Sequence, residues 1–370
     1  MTSPRVHIIG SGLIGASIGM ALRARGATVS LEDLSPTSAA LARDLGAGDL
    51  SRHRGDDPGE PVDLVVVATP PDVTADVVVT AQRRFGSAVV TDVASVKQII
   101  VEEVATRGGD LTRFVGGHPM AGRERSGAIA ARADLFEGRT WVLTPTDATT
   151  AEALAAVRAM AESTGAAVVV LDAAEHDDAV AAVSHVPQIA ASVVAARLEA
   201  LSDTSVALAG QGVRDVTRIA ASDPGLWTQI LVGNAPAVRD VLADVVADLR
   251  DVVTALDEIA RDGAHDLGAP GSRAVIAGRL AAGNAGHARI PGKHGAAPTA
   301  YASVVVLVPD EPGQLGRLFN DVGAAGVNLE DLRLDHAQGR PFGLAEIFVV
   351  PSAVGHLVGA LTDRGWRLHT

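Results

Sequence analysis

The stretch Val6-His7-Ile8-Ile9-Gly10-Ser11-Gly12-Leu13-Ile14-Gly15 decides the fold of the first half of this chain. Four residues typical of a buried strand lead into Gly-x-Gly-x-x-Gly, and an apolar helical pattern then runs to Arg25 and stops at Gly26. A strand, a tight turn and a helix start in this order form a dinucleotide-binding motif, whereas the glycines alone would also fit an ordinary glycine-rich turn. The first glycine permits the turn, the second lets a pyrophosphate approach the backbone, and the third lets the helix pack on the strand. The predicted cofactor contacts are therefore Gly10, Gly12, Leu13, Ile14 and Gly15.

A second strand, Thr28 to Leu31, ends in two acidic residues, Glu32 and Asp33. An acidic side chain at this point accepts hydrogen bonds from the adenosine ribose hydroxyls and repels a 2′-phosphate. We favour Asp33 over Glu32 for this role, and NAD over NADP as the cofactor.

Further strands alternate with helical stretches, at about residues 63–68, 88–92, 114–117, 141–144 and 167–171. Valine-rich runs separated by helices predict a parallel sheet that is covered on both faces. The strand that ends at Ala68 should lie beside the cofactor. It adds Thr69 and Pro70 to the predicted contacts, although the prolines of this loop also shape it.

Composition narrows the possible functions. The chain has 370 residues, enough for two or three domains, and a net charge of -13 at pH 7. No basic patch for nucleic acid is visible, so individual arginines must hold any anionic substrate. The chain contains no cysteine, and its histidines lack metal-ligand spacing, so we expect neither a disulfide nor a metal. The N-terminus has no signal-peptide pattern and the apolar runs are too short for a membrane span, which predicts a cytoplasmic protein.

The heptapeptide Gly116-Gly117-His118-Pro119-Met120-Ala121-Gly122 carries the predicted chemistry. It lies downstream of the nucleotide-binding motif, where such a fold delivers catalytic groups to a nicotinamide. A neutral imidazole, with a reference pKa of about 6.5, accepts a proton near neutral pH while the cofactor takes a hydride. His118 is thus the candidate base of an oxidoreductase, although a lone histidine is more often a hydrogen-bonded loop residue.

Further motifs follow along the chain. They are Val93-Ala94-Ser95-Val96-Lys97, Glu124-Arg125-Ser126-Gly127, Glu175-His176-Asp177, Ser184-His185-Val186-Pro187, Arg214-Asp215-Val216-Thr217-Arg218-Ile219-Ala220 and Ser222-Asp223-Pro224-Gly225-Leu226-Trp227. With the heptapeptide, this set resembles the prephenate/arogenate dehydrogenase family over about residues 5 to 265. The resemblance implies a step of tyrosine biosynthesis, the NAD-dependent oxidative decarboxylation of prephenate to 4-hydroxyphenylpyruvate or of arogenate to tyrosine.

The resemblance also implies roles for particular side chains. A substrate like prephenate is a cyclohexadienol dianion that loses a hydride, a hydroxyl proton and carbon dioxide. His118 would take the proton, Ser95 would orient the hydroxyl, and Arg218 would bind a carboxylate through its planar two-donor fork. Structural alternatives remain: Ser95 could cap the helix that follows it, and Arg218 could pair with Asp215 or Asp223.

Other candidate substrate contacts are less specific. Arg125, with Glu124, belongs either to an active-site ion network or to a solvated face, and His185, like His176, is either a structural residue or a substrate contact. Gln188 stands where many family members have a histidine, close to the keto-acid side chain of prephenate or the amino-acid side chain of arogenate. A neutral amide suits either substrate, whereas an acidic residue would have favoured the ammonium group of arogenate. We therefore lean to prephenate.

From Asp172 to about Gly263, helical spacing replaces the strand signals. The clearest helix places apolar residues in alternating steps of four and three: Val238, Leu242, Val245, Leu249, Val252, Leu256 and Ile259. Pro236 suits its first turn and Gly263 its end. This seam either packs within its own subunit or pairs two subunits. Because family members dimerise through their helical domains, we expect a homodimer.

The C-terminal part has its own pattern. A Gly-rich basic segment, residues 286–300, is interpreted as a linker, with a short phosphate-binding loop as the less favoured alternative. Beyond it, a βαββα order with the turn Asp310-Glu311-Pro312-Gly313-Gln314-Leu315 resembles an ACT domain, a small amino-acid-sensing module. The turn presents backbone N–H groups at a helix start, where a ligand carboxylate could bind. The candidate effector contacts are Gly313, Gln314, Leu315 and Asn328. The resemblance implies tyrosine as a feedback effector, and the alternative is a role in assembly alone.

The predicted fold is an α/β Rossmann-type doubly wound parallel sheet, then an all-α helical dimerisation domain and a C-terminal α+β ACT-like domain. The predicted domains are an NAD-binding Rossmann domain at 1–171, a helical substrate and dimerisation domain at 172–285, the linker at 286–300 and the ACT-like regulatory domain at 301–370. A non-catalytic sensor of NAD and an amino acid is disfavoured, because a sensor needs no proton acceptor. A β-hydroxyacid dehydrogenase would normally use a helix lysine, and the chain has none between Lys97 and Lys293.

Overall fold

The structure, a computed structural model, describes residues 4–51, 61–122, 127–262, 270–291, 301–336 and 341–369. The chain divides into two compact units, Met1–Val245 and Val246–Thr370. The domain boundaries expected from the sequence divide the chain more finely than this and stay predictions.

Unit 1 is built around an eight-stranded sheet in the order β3-β2-β1-β4-β5-β6-β7-β8. Its strands are β1 Arg5–Ile9, β2 Thr28–Glu32, β3 Asp49–Leu50, β4 Leu64–Val67, β5 Val89–Asp92, β6 Phe114–Pro119, β7 Thr140–Thr144 and β8 Ala167–Val170. Its helices are α1 Leu13–Arg23, α2 Pro36–Asp44, α3 Pro71–Arg84, α4 Gln98–Thr106 and α5 Ala151–Ser163. Alternate residues of the fully buried β4 belong to two different apolar clusters, as expected for a sheet with helices on both faces. The predicted Rossmann-type sheet is confirmed.

The sheet departs from the predicted all-parallel arrangement at one place. Strands β6 and β7 are antiparallel, with His118 opposite Val142. Parallel neighbours need a crossover connection, usually a helix, whereas antiparallel neighbours do not. Between β6 and β7 the described residues contain only a short 3-10 turn, Ala128–Ala130, which explains the change of direction.

The helical part of unit 1 follows the sheet directly. Its helices are α6 Ala173–Val180, α7 Val186–Ala196, α8 Asp203–Val206, α9 Gln211–Thr217, α10 Pro224–Gly233 and α11 Ala235–Asp262, the last of which continues into unit 2. A π-helical turn, Ala181–His185, joins α6 to α7. By length and composition alone, the continuous stretch Ala173–Ala196 could span a membrane. Its His176, Asp177 and His185 side chains are buried and hydrogen-bonded within unit 1, so we interpret it as a helix of the folded domain.

The predicted apolar seam of α11 has two different environments. Val238 is buried, and the partly buried Leu242 and Val245 pack with it in an apolar cluster that includes residues of α7 in the same chain. Leu249 and Leu256, further along the same face, are 59% and 51% exposed. The first half of the seam therefore packs within its own subunit, whereas pairing of two subunits through the second half stays a prediction.

Unit 2 contains the end of α11, helix α12 (Pro270–His287) and a small α+β domain. The domain has β9 Ala302–Pro309, α13 Gln314–Ala324, β10 Asp331–His336, β11 Phe342–Val349, α14 Val354–Asp363 and β12 Arg367–His369. Its antiparallel sheet has the order β10-β11-β9-β12, and both helices pack against one apolar core. The order predicted from the sequence thus holds, with β12 added at the end of the chain.

Candidate active site

The glycine-rich loop leaves room for a ligand at one glycine and none at the other two. A Cβ atom on Gly10 would lie 2.2 Å from the Ala68 carbonyl oxygen, and one on Gly15 would lie 2.0 Å from the Gly10 oxygen. At Gly12 nothing lies within 4 Å. Gly12 is also the N-cap of α1, which has no side-chain cap. Backbone N–H groups of Leu13 and Ile14 at a helix start next to open space fit the pyrophosphate of a dinucleotide.

The two acidic residues at the end of β2, Glu32 and Asp33, have different hydrogen-bond and ion-pair partners. The Asp33 carboxylate accepts hydrogen bonds from the Ser11 backbone N–H and hydroxyl, at 2.7 and 2.8 Å, and so joins the loop to the end of β2. Glu32 instead forms an ion pair with Arg84 at 2.7 Å. A hydrogen bond from His7, helped by Arg84, lowers the pKa of Glu32. Both acids line the same large cavity, but Glu32 is paired with Arg84, which supports Asp33 as the acid that contacts a cofactor.

A single cavity of about 1190 Å³ extends from this loop to the helical part of unit 1. The predicted cofactor contacts on its wall are Gly10, Gly12, Leu13, Ile14, Asp33, Thr69 and Pro70, while Gly15 lies behind Gly10. The predicted chemical residues on the wall are Ser95, His118 and His185. The fold therefore brings the nucleotide motif and the candidate base into one space.

His118 is held by a chain of three side chains. Its Nδ1 lies 2.8 Å from Nε2 of His176, and Nδ1 of His176 lies 2.7 Å from the Asp177 carboxylate. Because that carboxylate also accepts backbone N–H bonds, it accepts from His176 as well, which places the His176 proton on Nδ1. Nε2 of His176 is then an acceptor, so Nδ1–H of His118 donates to it. The result is a His118 whose unprotonated atom is Nε2, and among the described residues that atom has no partner.

The surroundings keep His118 neutral. Burial is the main cause that holds the pKa of His118 well below 6.5, and the neighbouring His176, Lys97 and His185 also disfavour its protonation. A neutral imidazole with a free ring nitrogen at a cavity wall is a competent proton acceptor. The geometry thus supports the prediction for His118 over the alternative of a loop residue.

Ser95 does not cap the helix that follows it. The first N–H groups of that helix, those of Lys97 and Gln98, both donate to Asp177 at 2.9 Å. In the described part of the chain the Ser95 hydroxyl has no hydrogen-bond partner, and it lies on the cavity wall. It is therefore available to a ligand, and the capping alternative is wrong.

His185 and Gln188 lie one helical turn apart and are both buried, but only His185 lines the cavity. His185 lies on the cavity wall, its ring is in edge contact with Trp227, and its Nδ1 lies 3.2 Å from the Asn234 amide nitrogen. Burial lowers the pKa of His185 to about 4. Gln188 is buried behind this wall and donates to Ser222 at 2.6 Å. Gln188 is not among the residues that line the cavity.

The structure does not bring Arg218 to the described cavity wall. Arg218 starts a short 3-10 turn, is exposed, and has no ion-pair partner among the described residues. Its two suggested partners are engaged elsewhere: Asp215 accepts from Gln211, and Asp223 caps α10. Arg125 lies outside the described residues.

Sequence reasoning missed three buried charged residues behind the site: Asp92, Lys97 and Asp177. Lys97 and Asp92 form an ion pair with no exposed side-chain area, directly beneath the heptapeptide. The composition could have drawn attention to Lys97, since only two of the 31 basic residues are lysines. Among the described residues, no group of three metal-binding side chains is found.

A separate, smaller cavity of about 120 Å³ lies in unit 2. It is lined by Val308, Pro309, Asp310, Glu311, Gly313, Leu315, Leu334, Gly343 and Leu344. Gly313 has a φ of +88° and is the N-cap of α13. Gln314 and Asn328 are not on this wall; Gln314 lies next to Glu311, and Asn328 donates to Glu330.

Comparison with known proteins supports this geometry. Residues 18–170 match the family model of the prephenate dehydrogenase nucleotide-binding domain, and residues 172–267 match that of the prephenate dehydrogenase dimerization domain. The chain is 39% identical over 361 residues to a Streptomyces niveus protein named "Probable prephenate dehydrogenase NovF", covering 97% of this chain and 98% of that one. Solved structures are also similar, among them the following two. The Aquifex aeolicus prephenate dehydrogenase in complex with hydroxyphenyl propionate and NAD+ is 29% identical, with 70% and 93% of the two chains covered and a TM-score of 0.64. The Synechocystis arogenate dehydrogenase is 28% identical, with 69% and 92% covered and a TM-score of 0.59.

Proposed function

The chain belongs to the prephenate dehydrogenase family, and from that premise we propose that it converts prephenate to 4-hydroxyphenylpyruvate by oxidative decarboxylation. It is an NAD-dependent oxidoreductase. The observation that carries the proposal is Nε2 of His118, which has no partner in the described part of the chain and lies in the same cavity as the glycine-rich loop. A base and a dinucleotide site in one space are what removal of a hydroxyl proton together with a hydride requires.

Each step of the reaction has a residue of this chain to serve it. His118 Nε2 accepts the proton of the C4 hydroxyl, and the Ser95 hydroxyl orients that group. When bound in the cavity, NAD accepts the hydride from C4. The bond from C1 to the ring carboxylate then breaks, its electron pair completes the aromatic ring, and carbon dioxide leaves. The proton held by His118 returns to the phenolate oxygen, which gives the hydroxyl group of 4-hydroxyphenylpyruvate. For Arg218, which does not line the described cavity, the family resemblance alone supports the proposal that its planar fork holds a substrate carboxylate.

The choice of prephenate over arogenate concerns the side chain of the substrate rather than the reaction at its ring. Gln188 donates to Ser222 and stands behind the cavity wall, so it supplies no charge to either substrate side chain. The relative that covers nearly the whole chain is named for prephenate, whereas one structural neighbour is an arogenate dehydrogenase. Arogenate remains the alternative substrate.

Turnover with four substrate and cofactor pairs tests the proposal. NADH or NADPH formation is followed by absorbance with prephenate and with arogenate, each with NAD and with NADP. We expect the rate with prephenate and NAD to exceed the others. A higher rate with arogenate would overturn the substrate and keep the mechanism, whereas NAD binding without turnover of either would favour a non-catalytic sensor.

We also propose a homodimer with the exposed half of α11 in its interface. Leu249 and Leu256 lie exposed on one face of a helix within the segment that matches the family's dimerization domain. The double variant L249D/L256D should shift the mass in sedimentation from dimer to monomer. A dimer that survives both charges would place the interface elsewhere. A cytoplasmic location stays a prediction.

For unit 2 we propose an amino-acid effector site at the small cavity beside Gly313. The start of α13 offers backbone N–H groups to a carboxylate, and the wall combines aliphatic side chains with the acidic Asp310 and Glu311. Calorimetric titration of the full chain with tyrosine tests this, with alanine as the control ligand. Binding of tyrosine with inhibition of turnover supports sensing, and no binding supports a role in assembly alone.

A further inference from the structure

Strand β6 leaves β5 just before it reaches the catalytic histidine. The two strands pair only through Val90 with Phe114 and Thr91 with Val115, after which β6 pairs with β7. The peptide groups of Gly117 on the β5 side therefore lack the hydrogen bonds of a sheet ladder. A buried backbone group without a partner is costly, so something else must satisfy them.

A buried ion pair takes the place of the missing ladder. The Lys97 ammonium donates to the Gly117 carbonyl oxygen at 2.7 Å and forms an ion pair with Asp92. The other oxygen of Asp92 accepts from the Gly117 N–H at 3.3 Å. Both polar groups of the residue before His118 are thus held by Lys97 and Asp92, and neither side chain has any exposed area.

The same lysine also connects to the ring of His118 from the other side. Its backbone N–H donates to Asp177 at 2.9 Å, and Asp177 binds the His176 that accepts from His118. The backbone of His118 and its imidazole are therefore both anchored at residue 97. A buried ion pair is weak evidence for stability, since well-packed apolar residues serve that purpose equally well. Its contacts here converge on one residue of the site.

We propose that Lys97 is a positioning residue, which, with Asp92, fixes the Gly117 peptide so that His118 reaches His176 and keeps Nε2 in the cavity. Space is tight around this peptide, since a Cβ on Gly117 would lie 2.7 Å from the Asp92 carbonyl oxygen. Lys97 is one of two lysines in a chain that otherwise uses arginine. An arginine is larger and has a different donor geometry, so it would not fit the same fully buried position. The inference rests on the proposed function, because it assigns a role in the same reaction.

The charge of Lys97 affects the pKa of His118, so an experiment can distinguish a positioning role of this residue from a role in packing alone. The titratable and charged groups around His118 are His176, His185, Lys97, Asp92 and Asp177. Lys97 is one of the groups that lower the pKa of His118, after burial and His176. Removing the ammonium therefore raises the pKa of His118, which moves the acidic limb of the activity profile to higher pH.

The test compares K97M with K97Q. Methionine has a similar length without a donor or a charge, and we expect kcat to fall by about 10- to 100-fold, as for a misplaced base, with the Kd of NAD unchanged. Glutamine keeps an N–H donor and should recover part of kcat, while both variants shift the acidic limb upward. The matched control is R113M, because Arg113 also binds backbone carbonyl oxygens near the start of β6 but is remote from His118 along that strand. R113M should lower Tm and leave kcat and the pH profile unchanged.

Folded K97M with wild-type kcat and pH profile would overturn the proposal. If K97M does not fold, D92N provides the second test. This variant keeps an acceptor for the Gly117 N–H but weakens the ion pair with Lys97. An unchanged kcat in D92N would overturn the proposal as well. NMR titration of His118 in histidine-labelled K97Q and wild-type protein, without substrate, gives the pKa directly. Absence of turnover of both prephenate and arogenate by the wild-type protein would be a failure of the proposed function. The NMR titration would still test the positioning role in that case, because it needs no turnover.

Discussion

Nδ1 of His118 lies 2.8 Å from Nε2 of His176, and the two rings meet edge to face with centroids 5.1 Å apart. The contact joins the strand that carries the candidate base to the first helix of the helical part of unit 1, where Asp177 adjoins His176. The base is therefore oriented by a residue of one matched family segment while it sits in the other. Its tautomer depends on both.

Replacement of His118 by Asn should abolish proton transfer and leave cofactor binding intact. General acid–base catalysis by a positioned side chain contributes about 10²- to 10⁴-fold, so kcat for H118N should fall by that factor. Stopped-flow kinetics gives kcat, and calorimetry gives the Kd of NAD, which should not change. The control is H287N, at an exposed histidine of α12, which should behave as wild type. A loss of NAD binding in H118N would instead indicate a structural role for the histidine.

Replacement of His176 by Asn should lower kcat through His118 alone. Without its acceptor, His118 loses both orientation and a fixed tautomer, and a misplaced catalytic group costs about 10²-fold. Nitrogen chemical shifts of labelled His118 should change from one tautomer to a mixture.

D177N is the informative companion variant, because Asp177 also caps α4 through two backbone N–H groups. Asparagine keeps one acceptor oxygen but replaces the other by an amide NH2, so D177N should lower kcat and, by up to about 1 kcal/mol for the lost capping bond, the free energy of unfolding. Equal stability loss in the two variants would contradict this division.

The pH dependence of activity should have its acidic limb below 6.5. His118 must be neutral to accept a proton, and burial, followed by nearby positive charge, holds its pKa well below 6.5. We therefore expect kcat/KM to stay level as pH falls through neutrality and to drop only in clearly acidic buffer. A limb at or above 6.5 would mean that the base is solvated or is another group.

The free energy of unfolding should also depend on pH, because His185 is buried in its neutral form. In the unfolded chain His185 takes up a proton near pH 6.5, whereas in the folded protein burial delays uptake to about pH 4. Between these values the unfolded state binds more protons, so the free energy of unfolding decreases as pH falls from about 6.5 to 4. Urea titrations at several pH values should show this slope, and H185N should reduce it.

Two variants of the glycine-rich loop, G12A and G15A, should differ in whether they weaken NAD binding or destabilise the fold. Nothing surrounds a Cβ at Gly12, whose φ of -70° any residue adopts, so G12A should keep its Tm while the Kd of NAD rises by about tenfold. At Gly15 the new Cβ would lie 2.0 Å from the Gly10 oxygen, and overpacking costs about 1–3 kcal/mol or more. G15A should thus lower Tm first. Comparable Tm values for the two variants would contradict the packing argument.

The sequence was sufficient for the parts of this molecule that depend on local pattern. Glycine spacing, the acid after β2 and the valine-rich strands predict the nucleotide-binding fold, since each signal lies within one supersecondary unit. The reversal of β7 was not predictable from these runs, because a buried strand has the same pattern in either direction. The chain from Asp177 to His118 was missed for a related reason. It joins residues about sixty positions apart, and sequence motifs do not show which long-range partners a buried carboxylate will find.

Arg218 is the predicted substrate contact that the structure leaves least constrained, and its replacement gives a direct test. The residue is exposed and has no ion-pair partner in the described part of the chain, so its removal costs no buried interaction. Charge-assisted hydrogen bonds contribute about 1.5–3 kcal/mol, so R218A should raise the KM for prephenate by about 10- to 100-fold. R218K keeps the charge but loses the fork, and we expect an intermediate KM. The Kd of NAD should not change in either variant. R214A, an exposed arginine on the preceding helix α9, is the matched control and should keep the wild-type KM. An unchanged KM in R218A would remove Arg218 from the site and leave the substrate carboxylates to another arginine.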